Sequence, residues 1–313
     1  MAVALFALGA LYGERLLRWL AAWRSPVAPV AAVAKEQRPQ TSAKTKPKPP
    51  RPAAPSAPVP AGDAVAPGKA NAGVDAGTLP AQPRARVAIV IDDLGRDAAA
   101  IEKLQAVLAR AGNAQLSWAV LPYESRTAEV VEALRLHGAE VLLHLPMDPE
   151  GAADPGPGAL TTRMSKAELA AATAAALAAV PGASGVNNHM GSKLSSDRAA
   201  MAAILGEVRR EGRYYLDSRT TAASVGFEVA RELGIPAANR DIFLDDVALR
   251  GAITAQFGKL LSRARERGAA IAIAHPHPET LAVLEQEIPR AVEAGFEFVP
   301  VSYLLERSED LPE

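Results

Sequence analysis

The chain contains no cysteine in 313 residues, which excludes disulfides, thiolate nucleophiles and cysteine-bound zinc and leaves the redox compartment open. Aromatic residues are also scarce, at 4%, and none lies between Trp23 and Trp118. Charge of one sign is missing too: the formal net charge is -1 and the basic residues are dispersed over helical segments, so no nucleic-acid groove is expected. No glycine-rich phosphate loop is present, which leaves a phosphate-sugar enzyme on an ordinary barrel as the weakest reading.

A long uninterrupted apolar run is lacking as well. Met1 to Tyr12 would form a helix of only ~18 Å, against a hydrocarbon core of roughly 30 Å. Extending it through Leu16 to Trp23 encloses Glu14, Arg15 and Arg18, of which Glu14 and Arg18 can pair on one helical face. No positive region precedes the apolar one, as a signal peptide requires. The expectation for 1–25 is a truncated export anchor whose true start lies upstream. It would hold the rest in the periplasm or elsewhere outside the cytoplasm, with N-terminal contact to the inner membrane. An amphipathic or disordered N-terminus is the alternative.

About half of the 25 prolines fall in residues 26–84, together with much alanine and a basic run at Lys44, Lys46, Lys48 and Arg51. Such a segment cannot bury enough apolar surface to offset its ordering entropy, so a disordered, partly polyproline linker is expected there. One folded domain, 85–307, and a short tail, 308–313, remain.

Within that domain, strand-sized apolar runs alternate with helical patterns. The runs are Val87 to Ile91, Gln115 to Val120, Glu140 to Leu143, Gly185-Val186, Tyr214 to Leu216, Asp241 to Leu244, Ala269 to Ala274 and Phe296 to Val299. The helical patterns are Ala98 to Ala111, Ala128 to His137, Lys166 to Val180, Ala199 to Glu211, Gly226 to Leu233, Ile253 to Arg267 and Glu279 to Ala294. The fold class is α/β, with a parallel sheet covered by helices, either open and doubly wound or closed as a barrel. Both architectures bind ligands at the carboxyl ends of their strands.

Polar clusters stand where those runs stop. Asp92-Asp93 can divide labour, one binding a divalent cation and the other taking a proton from water, if the strand ends there and turns at Gly95. Otherwise Asp93 caps the next helix. His144 and Asp148, stiffened by Pro146 and Pro149, can grip zinc together. His189 offers a third ligand, beside Asn187 and Asn188, which can orient ligands or donate to substrate oxygens. Asp217 can orient a catalytic group and Arg219 pair with a carboxylate, unless 218–221 is a helix-capping turn. Asn239-Arg240-Asp241 and Asp245-Asp246 are expected to be mainly structural. His275 directly follows a strand and is the candidate general acid; His277 supports it or is a solvated turn residue.

Together these five clusters, in order on successive strands, resemble the polysaccharide deacetylase superfamily in its divergent bacterial branch, over 85–305. The motifs are Ile91-Asp92-Asp93-Leu94-Gly95, His144-Leu145-Pro146-Met147-Asp148-Pro149, Asn187-Asn188-His189-Met190-Gly191-Ser192, Asp217-Ser218-Arg219-Thr220 and Ala274-His275-Pro276-His277-Pro278. The resemblance implies a distorted barrel of seven or eight βα units, a divalent metal, most often Zn2+, and removal of N-acetyl groups from peptidoglycan or another polysaccharide. Asp92 matches the family's general base, Asp93 and His144 its metal ligands, and His275 its general acid. Typical members carry a second metal-binding histidine four residues after the first, where this chain has Asp148. Either Asp148 or His189 must complete the site, and His189 keeps its charge closer to the family's. A backbone N–H near His144 or Tyr123 would help to hold the oxyanion. The alternative is a metal-containing glycan-binding or scaffolding module without turnover.

Overall fold

The computed structural model describes residues 84–306 except position 113. The expected anchor, almost all of the expected linker and the C-terminal tail lie outside the described residues. Among the described residues, no helix is long and apolar enough to cross a membrane.

Nine strands form one sheet in which every pairing is parallel. They are β1 (Arg86–Leu94), β2 (Ser117–Val120), β3 (Glu140–Met147), β4 (Gly185–Met190), β5 (Tyr214–Asp217), β6 (Ala237–Asn239), β7 (Ile242–Phe243), β8 (Ala269–Ala274) and β9 (Glu297–Phe298). The helices are α1 (Ala99–Arg110), α2 (Thr127–Leu136), α3 (Lys166–Ala179), α4 (Arg198–Arg210), α5 (Gly226–Glu232), α6 (Arg250–Arg267), α7 (Pro278–Glu293) and α8 (Val301–Glu306). The spatial order is β6-β5-β4-β3-β2-β1-β8-β7, with β9 added beside the start of β1.

This is the expected distorted barrel, curled and open at one seam. The edge strands β6 and β7 do not pair, yet only Arg240 and Asp241 separate them along the chain. Arg240 N donates to Asp217 O on one side of the seam, and Asp241 N to Ile271 O on the other. The backbone itself thus closes the gap.

Side chains alternate across a strand, and here the alternation divides the core in two. Ile89, Ile91, Trp118, Leu143 and Leu145 pack outward against Ile101, Leu104, Val130 and Leu134 of α1 and α2. Ala88, Val90, Leu142, Leu216, Ile271 and Ile273 point into the barrel. Burying each large aliphatic side chain is worth ~1.5–3 kcal/mol, which favours the register that keeps both sets dry.

Local signals fix two of the helix starts: Ser165 and Glu168 form a reciprocal capping box on α3, and Asp197 accepts from Ala199 N and Ala200 N at α4. Two features were not expected. Strand β3 runs on through His144 to Met147 and β4 through Asn187 and His189 to Met190, past the ends of the apolar runs. The short helix α8 packs Val301 and Leu304 into the inner core, and Val301 N and Ser302 N donate to the Glu140 carboxylate.

Candidate metal centre and active site

The inner-facing series of each strand ends in a polar side chain. Ala88 and Val90 lead to Asp92, Leu142 to His144, and Ile271 and Ile273 to His275. Asn187 and His189 share one face of β4, paired with His144 and Pro146 of β3. Asp93 has the wrong parity, because Ile89 and Ile91 before it point outward. It joins the cluster through a break in register between Ile91 and Leu94 and a left-handed backbone, φ 59°. Aspartate is among the few residues that tolerate that region. Gly95, with φ 132°, then allows close approach to Glu124. The chain thus bends at Asp93 and completes the turn at Gly95, where the sequence permits it.

Asp93 Oδ1 lies 3.2 Å from His144 Nε2 and 2.9 Å from His189 Nδ1, and the two ring nitrogens are 3.1 Å apart. Although buried, Asp93 Oδ1 makes no hydrogen bond, so its lone pairs converge with the imidazoles on a common point. A tetrahedral cation with bonds of ~2.0–2.2 Å separates its ligand atoms by roughly 3.3–3.6 Å. The triangle is a few tenths of an ångström tighter, a difference that small side-chain rotations take up. Two imidazole nitrogens and a carboxylate oxygen thus fit a divalent metal.

Asn187 ties this group to Asp92. Its Oδ1 lies 2.9 Å from His144 Nδ1 and its Nδ2 donates to Asp92 Oδ1 at 2.9 Å. An N–H on His144 Nδ1 fixes the tautomer that leaves Nε2 free to ligate. Desolvation raises the pKa of buried Asp92, only partly offset by the charges of His144 and His275 and the Asn187 bond. Burial also acts to raise Asp93, but contacts with His144 and His189 outweigh it and hold this carboxyl well below the usual range. For His144, burial opposes the charge while Asp92, Asp93 and Asn187 favour it, with a net upward shift.

His275 stands across the site, its Nε2 4.0 Å from Asp93 Oδ2. Its Nδ1 lies 2.9 Å from Asp245 Oδ1, while its backbone N and Thr280 Oγ1 donate to Asp245 Oδ2. Burial alone would lower the imidazole; the Asp245 bond and the charges of Asp92, Asp245 and Asp93 push it up to about 9. Asp245, expected to be mainly structural, thus stands directly behind His275. The only sequence signal was an acidic pair after an apolar run.

The other expected site residues stand apart from this cluster. Asp148 accepts from Thr162 Oγ1 and Lys193 Nζ, both at 3.1 Å, and pins the loop between β3 and α3; it is outside the group of three ligand atoms. Asn188 uses Oδ1 on Tyr215 Oη and Ser218 N, and Nδ2 on Met190 O. It thereby holds the left-handed turn at Met190, φ 52°, that follows His189. Asp217 accepts from Arg219 N, Ser224 Oγ and Phe227 N, so it braces the turn into α5. Arg219 donates to the Ser224 and Ala222 carbonyls instead of meeting a carboxylate. His277 is exposed at the start of α7, its ring 5.8 Å from that of His275. Asp245, His275 and His277 are also close enough to surround an ion, but the Asp245 oxygens already accept three hydrogen bonds. Tyr123 is 40% exposed, and Gly158 of the β3–α3 loop packs on its ring.

Known proteins share this arrangement of chain. The Escherichia coli (strain K12) protein YibQ is 35% identical over 203 residues, 65% of this chain and 62% of its own length. A Haemophilus influenzae protein is 34% identical over 202 residues, 64% of this chain and 70% of its own. The match thus spans less than two thirds of YibQ. A solved protein of Agrobacterium tumefaciens C58 superposes with a TM-score of 0.66 at 24% identity, over 72% of this chain and 90% of that one, and so shares the fold. Residues 89–305 match the divergent polysaccharide deacetylase family, and the chain belongs to that family.

Proposed function

We propose that the domain is a metal-dependent N-deacetylase acting on peptidoglycan or another cell-envelope glycan, held outside the cytoplasm by its N-terminal segment. The observation that carries this reading is the triangle of Asp93 Oδ1, His144 Nε2 and His189 Nδ1, flanked by Asp92 on one side and His275 on the other. These three side chains would hold the cation, and their two imidazoles and one carboxylate suit Zn2+. When bound, such a cation supplies Lewis-acid polarisation of a carbonyl and lowers the pKa of water.

The protein's own groups do the rest. Asp92 is a buried base whose Oδ1 is held by Asn187, leaving Oδ2 to take the proton of an attacking water. The water oxygen adds to the acetamide carbon and the C–N bond breaks. His275 keeps its Nδ1 hydrogen on Asp245 and is protonated at neutral pH, so Nε2 gives its proton to the departing amine. The products are acetate and a free amino sugar.

The test is acetate release from chitooligosaccharides and peptidoglycan fragments by zinc-loaded protein, beside Asp93→Ala. Release that disappears with Asp93 supports the reading; undiminished turnover in the variant ends it. A binding module without turnover is the second reading, favoured by Asp148 standing where typical relatives carry a histidine. Tight glycan binding with no acetate from any of these substrates would select it.

A further inference from the structure

A cleft of about 560 Å3 opens beside the active site at the barrel seam, between the turn after β5 and the β6–β7 crossing. Two guanidinium groups line it, Arg219 and Arg240, and among the described residues neither forms a salt bridge. Arg240 is half-buried, donates to the Ser218 and Arg219 carbonyls and lies over the Phe243 ring at 4.8 Å. Arg219 is likewise held by carbonyls alone. No carboxylate among the described residues touches either guanidinium directly, although the charges of Asp92, Asp217 and Asp246 reach Arg240 and offset part of the cost of its burial; each planar fork keeps N–H groups to spare. Of the two aspartates on the rim, Asp241 is engaged by Arg263, Arg267 and Ile271 N. Asp246 is exposed, so with Asp241 paired elsewhere the lining sets two guanidinium groups against one carboxylate.

Resting on the deacetylase reading, we propose that this cleft binds an anionic substituent, a carboxylate or a phosphate, on a sugar neighbouring the one that reacts. The half-buried Arg240 has carboxylates nearby but none in direct contact, and a planar or tetrahedral anion gripped by two forks supplies that contact. Position fits the role. Phe243 touches both Arg240 and, with ring centroids 5.3 Å apart, His275, so the cleft lies one side chain from the proposed acid. A glycan strand with one sugar at His275 would lay the next over Phe243.

The test is calorimetric binding of three probes to the full chain, with and without chelator: chitobiose, the N-acetylglucosamine–N-acetylmuramic acid disaccharide, and chitobiose 6-phosphate. Chelation keeps the anion from being taken up by the cation instead. At least one acidic probe should bind about tenfold or more tighter than chitobiose, the worth of charge-assisted hydrogen bonds, and added salt should shrink the difference. Which acid gains identifies carboxylate or phosphate as the natural group. Arg240→Gln breaks two bonds of the turn and can unfold it, so Arg219→Gln and Gln256→Glu carry the argument. Gln256 also lines the cleft, and a glutamate there adds repulsion. Both variants should cut the acidic-to-neutral ratio at least fivefold. Equal affinity for all three probes, or a ratio unmoved by both variants, overturns the proposal. Acidic preference without acetate release would keep this site and remove the deacetylase; release without preference would do the reverse.

Discussion

Two imidazole–carboxylate groupings approach within 4.0 Å of each other and use their carboxylates in opposite ways. Asp245 is saturated: His275 N, His275 Nδ1 and Thr280 Oγ1 take up its oxygens, so it can orient and charge an imidazole but has little left for a cation. Asp93 has no hydrogen bond to Oδ1, and its two histidine neighbours present nitrogens toward the same point. Counting donors against acceptors thus separates a candidate metal ligand from an orienting group where residue types alone do not.

The largest effect expected from that contrast is in Asp93→Ala. Metal bound per chain should fall to background and turnover by far more than 100-fold, since removing even outer partners of a metal site costs about 10–100-fold. Metal analysis and acetate release check both parts. Next comes His275→Ala, which should retain its metal yet lose about 10²–10⁴ in kcat, the usual contribution of a positioned acid. Loss of metal in that variant would mean that the two groupings are one.

Asp245→Asn sharpens the comparison further, with metal retained and an expected loss of about 10–100-fold. Its signature is the titration of His275 in chelated protein, followed by NMR. Protonated below, this imidazole should lose its proton as pH rises through about 9, and in Asp245→Asn that step should move down toward the ordinary value near 6.5. Because its folded pKa is raised, the pair's stabilisation is fully present below about 6.5 and lost as pH rises through about 9, a trend that thermal melts would follow. An unmoved titration contradicts the assignment of Asp245.

The smallest effect belongs to Asp148→Asn. Its partly exposed pair with Lys193 should be worth no more than about 1 kcal/mol, with metal content unchanged. Burial acts to raise this carboxyl, but Lys193 and Thr162 win and lower it, so what it contributes fades only as pH falls through that depressed value. A drop in bound metal would instead return Asp148 to the ligand set.

Much of this was legible in the sequence because burial leaves a period. Alternating apolar runs and helical patterns gave the parallel sheet, and polar residues at strand ends marked the rim. Two-residue alternation does not say where a strand stops once its inner face turns polar, so the apolar runs alone end β3 and β4 short of His144 and His189. The left-handed backbone at Asp93, which brings an outward-parity carboxylate inward, follows from the bulge against β2 and has no sequence signature beyond tolerance of the conformation by aspartate. The contact of Asp245 with His275 has no sequence signal, because its partner is 30 residues away across a β7–β8 pairing that the sequence places nowhere. The cleft with its two guanidinium groups is hidden for a like reason: Arg219 and Arg240 meet because the chain crosses the seam.

The most direct measurement is anomalous scattering at the zinc edge from crystals of zinc-loaded protein. A single peak bonded to Asp93 Oδ1, His144 Nε2 and His189 Nδ1 at about 2.0–2.2 Å is the expected result. A peak between Asp245, His275 and His277, or none within reach of Asp93, would contradict it.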